Sequence, residues 1–508
     1  MTTDPGIVKG SAARHQLRQT ARPERREMTM TTRQPASVAA APLAAATAQH
    51  AQDSGQTAPR LKILVAGWDS GGGVEAVQTV VRRSVARGHQ VRVLGTAGLR
   101  DRFEQAGAAF RVYRYAPDND MRRPETDLVK EWQARTPLGA FARVRDKVMF
   151  GPARQFCRDI IEELDREPAD VVAVDTLIPS AMSGAEAAGV PAVLLMHGPY
   201  ALPRPGAPLI GTGSLPPRGR LGRLRDRAAA SLATGLLRTG LPALNQARAE
   251  LGLAPLRDLA ELAASASRIL VCTSPGYDFA AGAVPGNVRY VGPQLEDGGG
   301  AAWNDPRAGA DDRPLVLASF SSTVMRQEAL LQKTADALGR LPVHAVVTTG
   351  PAVDPAVIDA PPNVLVRRWA RHADMLPSCS AAITHGGHGT VIKALAAGVP
   401  QVIVPLGRDQ PGNAARVVHA GAGVRVRKNT GTAALHAAIA RVLDDHRYRA
   451  AAQRMAQLLA AGRDDGLVVD ELERAAACGR PAAAGPAGLP GRRQRTTSTK
   501  QQASGGLT

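Results

Sequence analysis

The chain repeats one pattern: a short apolar run, a turn rich in glycine, and a longer segment with apolar residues at helical spacing. Its first instance has an apolar run at 61–66, glycines at 71–73, a helical segment at 74–87 and another apolar run at 90–94. Short continuous apolar runs of this kind are typical of strands that are buried on both faces of a parallel sheet. The pattern therefore predicts a βαβ unit at the start of an α/β fold.

The same alternation continues through two successive halves of the chain. Further strands are predicted at 170–175, 191–196, 268–272, 314–319, 344–348, 364–366 and 381–383, and helices at 180–188, 224–262 (mostly helical) and 432–475. Two doubly wound, Rossmann-like domains follow from this order. The predicted boundaries are a disordered leader at 1–59, a first domain at 60–295, a linker at 296–313, a second domain at 314–477 and a disordered tail at 478–508.

The amino-acid composition limits the classes of function that the protein can have. A chain of 508 residues with 44% hydrophobic residues can build two cores. The aromatic content of 3% argues against a nucleic-acid module built on base stacking. The net charge of +18 comes partly from the tail and from arginines within 203–257, which we interpret as solvated surface. No nucleic-acid partner is expected, whereas contact with an anionic membrane surface is compatible with this charge.

Cysteine usage and hydropathy bear on the compartment. The four cysteines show no CxxC spacing, which predicts reduced thiols in a cytoplasmic protein without a structural zinc site. The sequence contains no run of 18 strongly apolar residues, so a transmembrane span is not expected.

The strongest chemical signal lies in the second half. After the strand at 381–384 come His385-Gly-Gly-His-Gly-Thr390, a helical run and a further strand at 401–405. A helix that begins in glycines offers free backbone N–H groups and a positive dipole end to a phosphate. Asp409 and Gln410, after the next strand, are suited to bonding several hydroxyls. Diphosphate at one strand end and polyol at the next indicate a sugar-nucleotide site.

At these residues the chain resembles the UDP-glycosyltransferase superfamily, particularly bacterial enzymes that glycosylate natural products and lipids. The resemblance rests on the HGGxGT segment, on Ala397-Gly-Val-Pro400 and on Asp409-Gln-Pro-Gly-Asn413. It covers about 61–475 and is weak between 100 and 165 and between 200 and 265, where acceptor-binding loops would lie. It implies the GT-B fold, in which two doubly wound domains face a central cleft, with the acceptor bound by the first domain and the nucleotide-sugar by the second.

The resemblance also implies a set of donor-binding residues. His385 would contact the α-phosphate, Trp369 would stack on the base, and Asp409 with Gln410 would bind the hexose hydroxyls. Lys393 stands where plant members carry a glutamate that holds the ribose, which leaves the choice of nucleotide open. The complete predicted donor set is Ser321, Ser322, Trp369, His385, Gly387, Gly389, Thr390, Asp409, Gln410 and Asn413.

The chain departs from the family where the catalytic base is expected. Members place a histidine or aspartate after the first strand, but here that position is Gly73, which cannot take a proton. Asp175 matches the carboxylate that orients the usual base. Asp69 is the first candidate substitute and Asp175, acting directly, the second; Glu75 and His197 are further candidates.

The sequence as a whole predicts an inverting glycosyltransferase. It would move a hexose from a UDP- or dTDP-linked donor to a hydroxyl of a small apolar natural product or lipid. No metal and no cofactor beyond the nucleotide-sugar co-substrate are expected. Two alternatives stay open: a sugar-nucleotide epimerase, and a catalytically silent relative that binds nucleotide-sugar or partners an active transferase, which the glycine at position 73 would favour.

Overall fold

A computed structural model describes residues 60–204, 206–279, 284–296 and 311–479. The predicted leader, most of the linker and nearly all of the tail lie outside these residues. In the first domain the chain forms seven parallel strands that make one sheet. They are β1 (Lys62–Ala66), β2 (Gln90–Gly95), β3 (Ala109–Val112), β4 (Val171–Asp175), β5 (Ala192–Met196), β6 (Arg268–Val271) and β7 (Val288–Tyr290).

The helices of the first domain connect these strands. They are α1 (Val74–Ala86), α2 (Arg100–Gln105), α3 (Pro137–Val144), α4 (Ala153–Arg166), α5 (Met182–Ala187), α6 (Arg220–Arg238), α7 (Leu241–Glu250) and α8 (Leu259–Ser265). The segment 224–262, predicted as mostly helical, is divided among α6, α7 and α8. Gly240 stands at the first break, and Pro255 lies in the non-helical stretch before α8.

The second domain holds a six-stranded parallel sheet. Its strands are β8 (Leu315–Ser319), β9 (His344–Thr348), β10 (Val364–Arg367), β11 (Cys379–Thr384), β12 (Gln401–Ile403) and β13 (Gly423–Arg425). Its part of the chain also contains α9 (Glu328–Gly339), α10 (His372–Met375), α11 (His388–Ala396), α12 (Gln410–His419), α13 (Thr432–Asp444), α14 (His446–Ala461) and α15 (Leu467–Cys478). The prediction of two doubly wound, Rossmann-like domains is confirmed.

Strand order decides where ligands can bind. The first sheet runs β3-β2-β1-β4-β5-β6-β7, and the second runs β10-β9-β8-β11-β12-β13. The order reverses between β1 and β4 in the first sheet and between β8 and β11 in the second. In open α/β sheets the crevice outside the carboxyl ends of strands at such a switch point is the usual ligand site. The loops after β1, β4, β8 and β11 are therefore expected to border the ligand site.

Strand β1 shows how the first core is built. Its residues alternate between two clusters, with Leu64 and Ala66 packed on one face of the sheet and Ile63 and Val65 on the other. Side chains of a strand point alternately to opposite faces, so a strand buried on both needs the continuous apolar run seen in the sequence.

The last helix of the described chain packs against the first sheet. The side chains of Val468 and Leu472 in α15 are buried in the cluster that contains Ile63 and Val65. Asp470 also forms an ion pair with Arg87 at 3.0 Å. The predicted boundary at 477 places this helix with the second domain by chain order, whereas its apolar face belongs to the core of the first.

Candidate functional site

The loop after β1 carries two glycines with different roles. Gly71 has a φ of +73°, and a Cβ there would lie 2.7 Å from Cγ2 of Thr323 in the loop after β8. This backbone conformation and this close contact both require glycine. Gly73 instead has a φ of −70°, which any residue can adopt. The loop therefore reaches the second domain and forms one wall of the cleft.

The space beside Gly73 is filled by a histidine from another strand. A Cβ on Gly73 would lie 2.6 Å from Cε1 and 2.7 Å from Nδ1 of His197, the residue that follows β5. The His197 ring thus occupies the volume that a side chain at position 73 would take. Its Nε2 atom lies 3.5 Å from Oδ1 of Asp175, at the end of β4.

The electrostatics of His197 follow from its two acidic neighbours. Burial by itself lowers the pKa of the imidazole, but the facing Asp175 carboxylate and, more weakly, Asp409 outweigh that effect, so the pKa lies above its usual range. The His197 side chain is 19% exposed, whereas the Asp175 side chain is completely buried. The buried Asp175 carboxylate is placed to orient the ring, and its direct action as a base stays a prediction.

The remaining candidate bases are held by other partners. Oδ1 of Asp69 accepts a hydrogen bond from the Gly71 backbone N–H at 3.2 Å, and Oδ2 lies 3.6 Å from Arg122. Burial raises the pKa of Asp69, while these two partners lower it. Glu75 forms an ion pair with Lys393 of α11. Asp69, ranked first from sequence, is thus buried in a turn and paired with a cation.

On the opposite wall, the HGGxGT segment leads into α11, with Gly387 as the N-cap residue and His388 as the first residue of the helix. Gly386 has a φ of +91°, and a Cβ on Gly387 would lie 2.6 Å from Nε2 of His385, so both glycines leave space that larger residues would fill. Burial and the nearby Arg408 lower the pKa of His385 to about 4. At neutral pH the ring is therefore a neutral hydrogen-bond donor beside the helix N-terminus, where Gly389 and Thr390 lie.

His388, which is not among the predicted donor residues, contacts the first domain. Its Nε2 atom lies 3.1 Å from Oγ1 of Thr273, and its ring packs 5.7 Å from that of Tyr277. Burial, His197 and Arg416 lower the pKa of His388 to about 3. This neutral side chain links α11 to the carboxyl end of β6.

Asp409 and Gln410, the predicted sugar-binding pair, lie at the start of α12. Asp409 is its N-cap residue, and Oδ2 of Asp409 accepts a hydrogen bond from Nδ2 of Asn413 at 2.7 Å. Burial raises the pKa of the Asp409 carboxyl, against the effects of Asn413 and His197. Gln410 is buried, and its Oε1 accepts from the backbone N–H groups of Leu406 and Gly407, so a contact of its Nε2 amide with a donor stays a prediction.

The side-chain amide of Asn413 forms hydrogen bonds within the protein. Its Nδ2 atom also donates to the Gly386 carbonyl at 2.9 Å, and its Oδ1 lies 3.3 Å from the hydroxyl of Tyr277. The side chain is fully buried. It thus connects the loop before α11, Asp409 and the first domain, and its predicted contact with a donor stays a prediction.

The other predicted donor residues occupy the same edge of the second sheet. Trp369, after β10, is 68% exposed and is not part of the core, so its ring is open to a stacking partner. Ser321 uses its hydroxyl internally, with Oγ 2.9 Å from Oγ1 of Thr323. Ser322 is exposed, and its Oγ lies 3.7 Å from the Cβ position of Gly71 in the opposite loop. Their contacts with a donor stay predictions.

Buried charges join the two walls. Arg416 of α12 forms an ion pair with Asp278 at 2.5 Å, and Arg408 pairs with Glu131 at 2.8 Å. Asp278 also lies 3.2 Å from Arg204. Sequence reasoning missed Thr273, Tyr277, Asp278 and Arg416. The first three follow β6, whose carboxyl end borders the cleft, and that was the one signal available.

The arginine-containing region 203–257 includes helix α6, much of which is exposed. Arginines and leucines both lie on its surface, with Leu221 84% exposed and Leu224 61% exposed. Contact with a membrane surface stays a prediction. Among the described residues, no helix is long and apolar enough to cross a membrane. Likewise, the described part of the chain contains no group of three His, Cys, Asp or Glu side chains placed to hold a metal ion.

Comparison with known proteins agrees with this geometry. A family model for the C-terminal domain of erythromycin biosynthesis protein CIII-like proteins matches residues 332–474. The chain is 30% identical over 422 residues to 4'-demethylrebeccamycin synthase of Lentzea aerocolonigenes, covering 81% of this chain and 98% of that protein. It is 25% identical over 421 residues to the zeaxanthin glucosyltransferase of Pantoea ananas, covering 81% and 95%.

The fold has solved counterparts as well. The structure of CalG4, a calicheamicin glycosyltransferase, matches with a TM-score of 0.64 at 23% identity, covering 84% of this chain and 100% of that one. The chain belongs to the UDP-glycosyltransferase superfamily. It has the GT-B fold and is a glycosyltransferase of the natural-product type.

Proposed function

We propose that the protein is an inverting glycosyltransferase that moves a hexose from a UDP- or dTDP-linked donor to a hydroxyl of a small, largely apolar natural product or lipid. One observation carries the proposal. The switch points of the two sheets face each other, with the start of α11 and Asp409 on one wall and His197 with Asp175 on the other. Two reactants can be held between these walls at once.

The second domain has the chemistry for the leaving group. When the bond between the anomeric carbon and the diphosphate oxygen breaks, negative charge grows on that oxygen. The N–H groups at the start of α11 and the neutral ring of His385 can stabilise it there. Asp409 and the Nε2 amide of Gln410 can hold the hexose hydroxyls, since the two residues are adjacent at the start of α12.

The loop after β5 of the first domain, where we expect the acceptor to bind, lies against α12 of the second domain. The Gly213 carbonyl accepts a hydrogen bond from Arg425 at 2.8 Å, so the loop after β5 crosses to the second domain. The Ile210 carbonyl lies 2.1 Å from the position of a Cβ on Gly412 in α12. An acceptor held under this loop would lie beside the hexose. An apolar acceptor is also consistent with relatives whose names include zeaxanthin glucosyltransferase.

A base on the first wall would take the proton of the acceptor hydroxyl, and the acceptor oxygen would attack the anomeric carbon from the side opposite the diphosphate. That arrangement gives a single displacement and inversion. The acceptor oxygen forms a bond to the anomeric carbon, its proton passes to the base, and the nucleoside diphosphate leaves with the bonding electrons. The glycine at position 73 was the reason to consider a catalytically silent relative. His197 removes that reason, because its ring occupies the side-chain space beside Gly73.

The test is transfer by purified protein from UDP-glucose and dTDP-glucose to a panel of apolar phenols and alcohols. We expect a glucoside product whose anomeric configuration, read by NMR coupling constants, is β from the α-linked donor. An α-linked product would contradict the inverting mechanism. Binding of neither nucleotide by calorimetry, together with no transfer, would contradict the glycosyltransferase assignment for these donors.

A further inference from the structure

The catalytic base that the loop after β1 lacks can be supplied from the loop after β5. A side chain on Gly73 and the ring of His197 cannot both exist in this structure, because a Cβ at position 73 would come within 2.6 Å of Cε1 of His197. The backbone of Gly73 is not the obstacle, since its φ is −70°. Glycine at this position therefore makes the room that the His197 ring occupies.

His197 has the environment that a base requires. Its Nε2 atom faces the completely buried Asp175 carboxylate at 3.5 Å, which favours the tautomer with a hydrogen on Nε2 and the lone pair on Nδ1. The distance is long for a hydrogen bond, as is common before substrates bind. The side chain keeps 19% of its surface exposed, so an acceptor can reach it. Asp409, assigned to the hexose, is close enough to stabilise the charged ring.

We propose that His197 is the catalytic base for glycosyl transfer and that Asp175 is its positioning residue, the pair replacing a base at position 73. This inference rests on the proposed function. In the step, the acceptor O–H gives its proton to Nδ1 of His197 as the oxygen bonds to the anomeric carbon. The diphosphate leaves with the electron pair of the broken C–O bond. The imidazolium then faces the Asp175 carboxylate and releases its proton to solvent.

The first test compares acceptors that do and do not need a base. Benzyl alcohol is neutral at pH 8, whereas 2-chloro-4-nitrophenol is already ionised. His197→Gln should lower transfer to benzyl alcohol by roughly 10²–10⁴-fold and transfer to the ionised phenol by less than about tenfold. Calorimetric affinity for UDP should not change. Equal losses for both acceptors would overturn the assignment. His446→Gln, on an exposed histidine at the start of α14, is the matched control and should behave as wild type.

The second test separates positioning from a merely structural role of Asp175. Transfer to benzyl alcohol should rise with pH as His197 loses its proton, with an apparent pKa above 6.5 in the wild type. Asp175→Asn removes the charge that raises this pKa while burial stays, so the midpoint should move to lower pH. A reduced rate with an unchanged midpoint would overturn the role of Asp175.

The third test moves the base between the two loops. Gly73→His alone should lose activity, because its side chain displaces the His197 ring. Gly73→His combined with His197→Ala should regain at least tenfold over His197→Ala alone, since the other close atom, Oγ of Ser70, can rotate away. Gly72→His in the same background is the matched control and should regain nothing, although a Cβ at Gly72 meets no atom within 4 Å. Equal recovery by both histidines would count against a specific site.

The failure of this inference and the failure of the proposed function give different results. The reverse reaction, release of 2-chloro-4-nitrophenolate from its β-glucoside by UDP, needs no proton transfer to the leaving group. If wild type and His197→Gln both catalyse it, and His197→Gln also keeps full transfer to benzyl alcohol, the transferase stands and His197 is not the base. If wild-type protein catalyses neither direction, both proposals fail together.

Discussion

His385, which we predict to contact the donor, has a neutral ring at pH 7, because burial and Arg408 lower its pKa to about 4. It can therefore donate an N–H to a phosphate oxygen at pH 7 without an electrostatic penalty for holding a buried cation. A hydrogen bond to a charged acceptor contributes about 1.5–3 kcal/mol. His385→Ala should therefore weaken UDP binding by roughly 10- to 150-fold, measured by calorimetry at pH 7.5.

The control for this change is His446→Ala, because that side chain is exposed at the start of α14. Its UDP affinity should equal that of the wild type. Unchanged affinity in His385→Ala, with an unchanged melting temperature, would remove His385 from the donor site.

Asp409 and Asn413 are hydrogen-bonded neighbours with different expected roles. Asp409→Asn keeps the size of the side chain but loses the carboxylate assigned to the hexose, so turnover with UDP-glucose should fall while UDP affinity stays. Asn413→Ala should weaken both, because Nδ2 of Asn413 also holds the Gly386 carbonyl in the diphosphate loop. Calorimetry with UDP and steady-state rates with UDP-glucose separate the two. The same pattern of losses in both variants would contradict this division.

At the scale of elements, the loop after β1 shows what a local pattern can and cannot predict. Its three glycines indicated a tight turn between a strand and a helix, and the turn is there. The identity of the residue beside Gly73 was not predictable, because His197 comes from a distant strand and only the fold brings the two together. From the sequence, Asp69 was ranked first among the candidate bases because of its position in the loop. Its ion pair with Arg122 could not be predicted from that position.

Helix α15 gives a prediction on stability at the same scale. Leu472 is fully buried against the first sheet, so Leu472→Ala leaves a cavity in the core of the first domain. Such a substitution costs about 2–5 kcal/mol in the free energy of unfolding. Leu221→Ala removes the same atoms from a side chain that is 84% exposed. It should change the free energy of unfolding by less than about 0.5 kcal/mol.

Denaturant unfolding with a first-domain fluorescence probe such as Trp68, which is buried, would measure both variants. If Leu472→Ala behaved like Leu221→Ala, α15 would not be part of the first core.

At the scale of the whole molecule, the features that could be predicted from the sequence are those that depend on residues close together in the chain. Apolar runs predicted the parallel strands, and the HGGxGT and DQxxN segments predicted the elements that carry the donor residues. The links between the domains could not be predicted in this way. Glu75 meets Lys393, and Asp278 meets Arg416, through contacts between residues far apart in sequence. No periodicity or motif marks such pairs, since each residue alone is compatible with a solvated surface.

The half-buried histidines of the second domain predict how stability depends on pH. The pKa of His372 and His385 is lowered to about 4 and that of His388 to about 3, in each case chiefly by burial. In the unfolded chain each would titrate near 6.5. Between pH 6.5 and 4 the unfolded state therefore binds protons that the folded state does not, and stability falls as the pH falls.

Groups with raised pKa values act in the opposite direction. The stabilisation from His197 is complete below pH 6.5 and is lost as the pH rises through its higher folded value. The Asp409 carboxyl likewise favours the folded state at acidic pH and loses that contribution as the pH rises above 3.8. The slope of the wild-type free energy of unfolding against pH is thus the difference between these opposing contributions. Comparing the wild type with a variant that lacks one histidine isolates the contribution of that histidine.

His388→Gln provides that comparison, because glutamine can keep a hydrogen bond to Thr273 but does not titrate. Over the window from pH 6.5 to 5, one histidine can contribute at most about 1.4 kcal/mol per pH unit. We expect the free energy of unfolding of the wild type to fall more steeply with acidification than that of His388→Gln, by up to about that amount per unit. Urea unfolding at pH 7.5, 6.5, 5.75 and 5 measures it. Parallel curves would mean that His388 has the same proton affinity in the folded and unfolded states, and hence that its ring is not held neutral between the two domains.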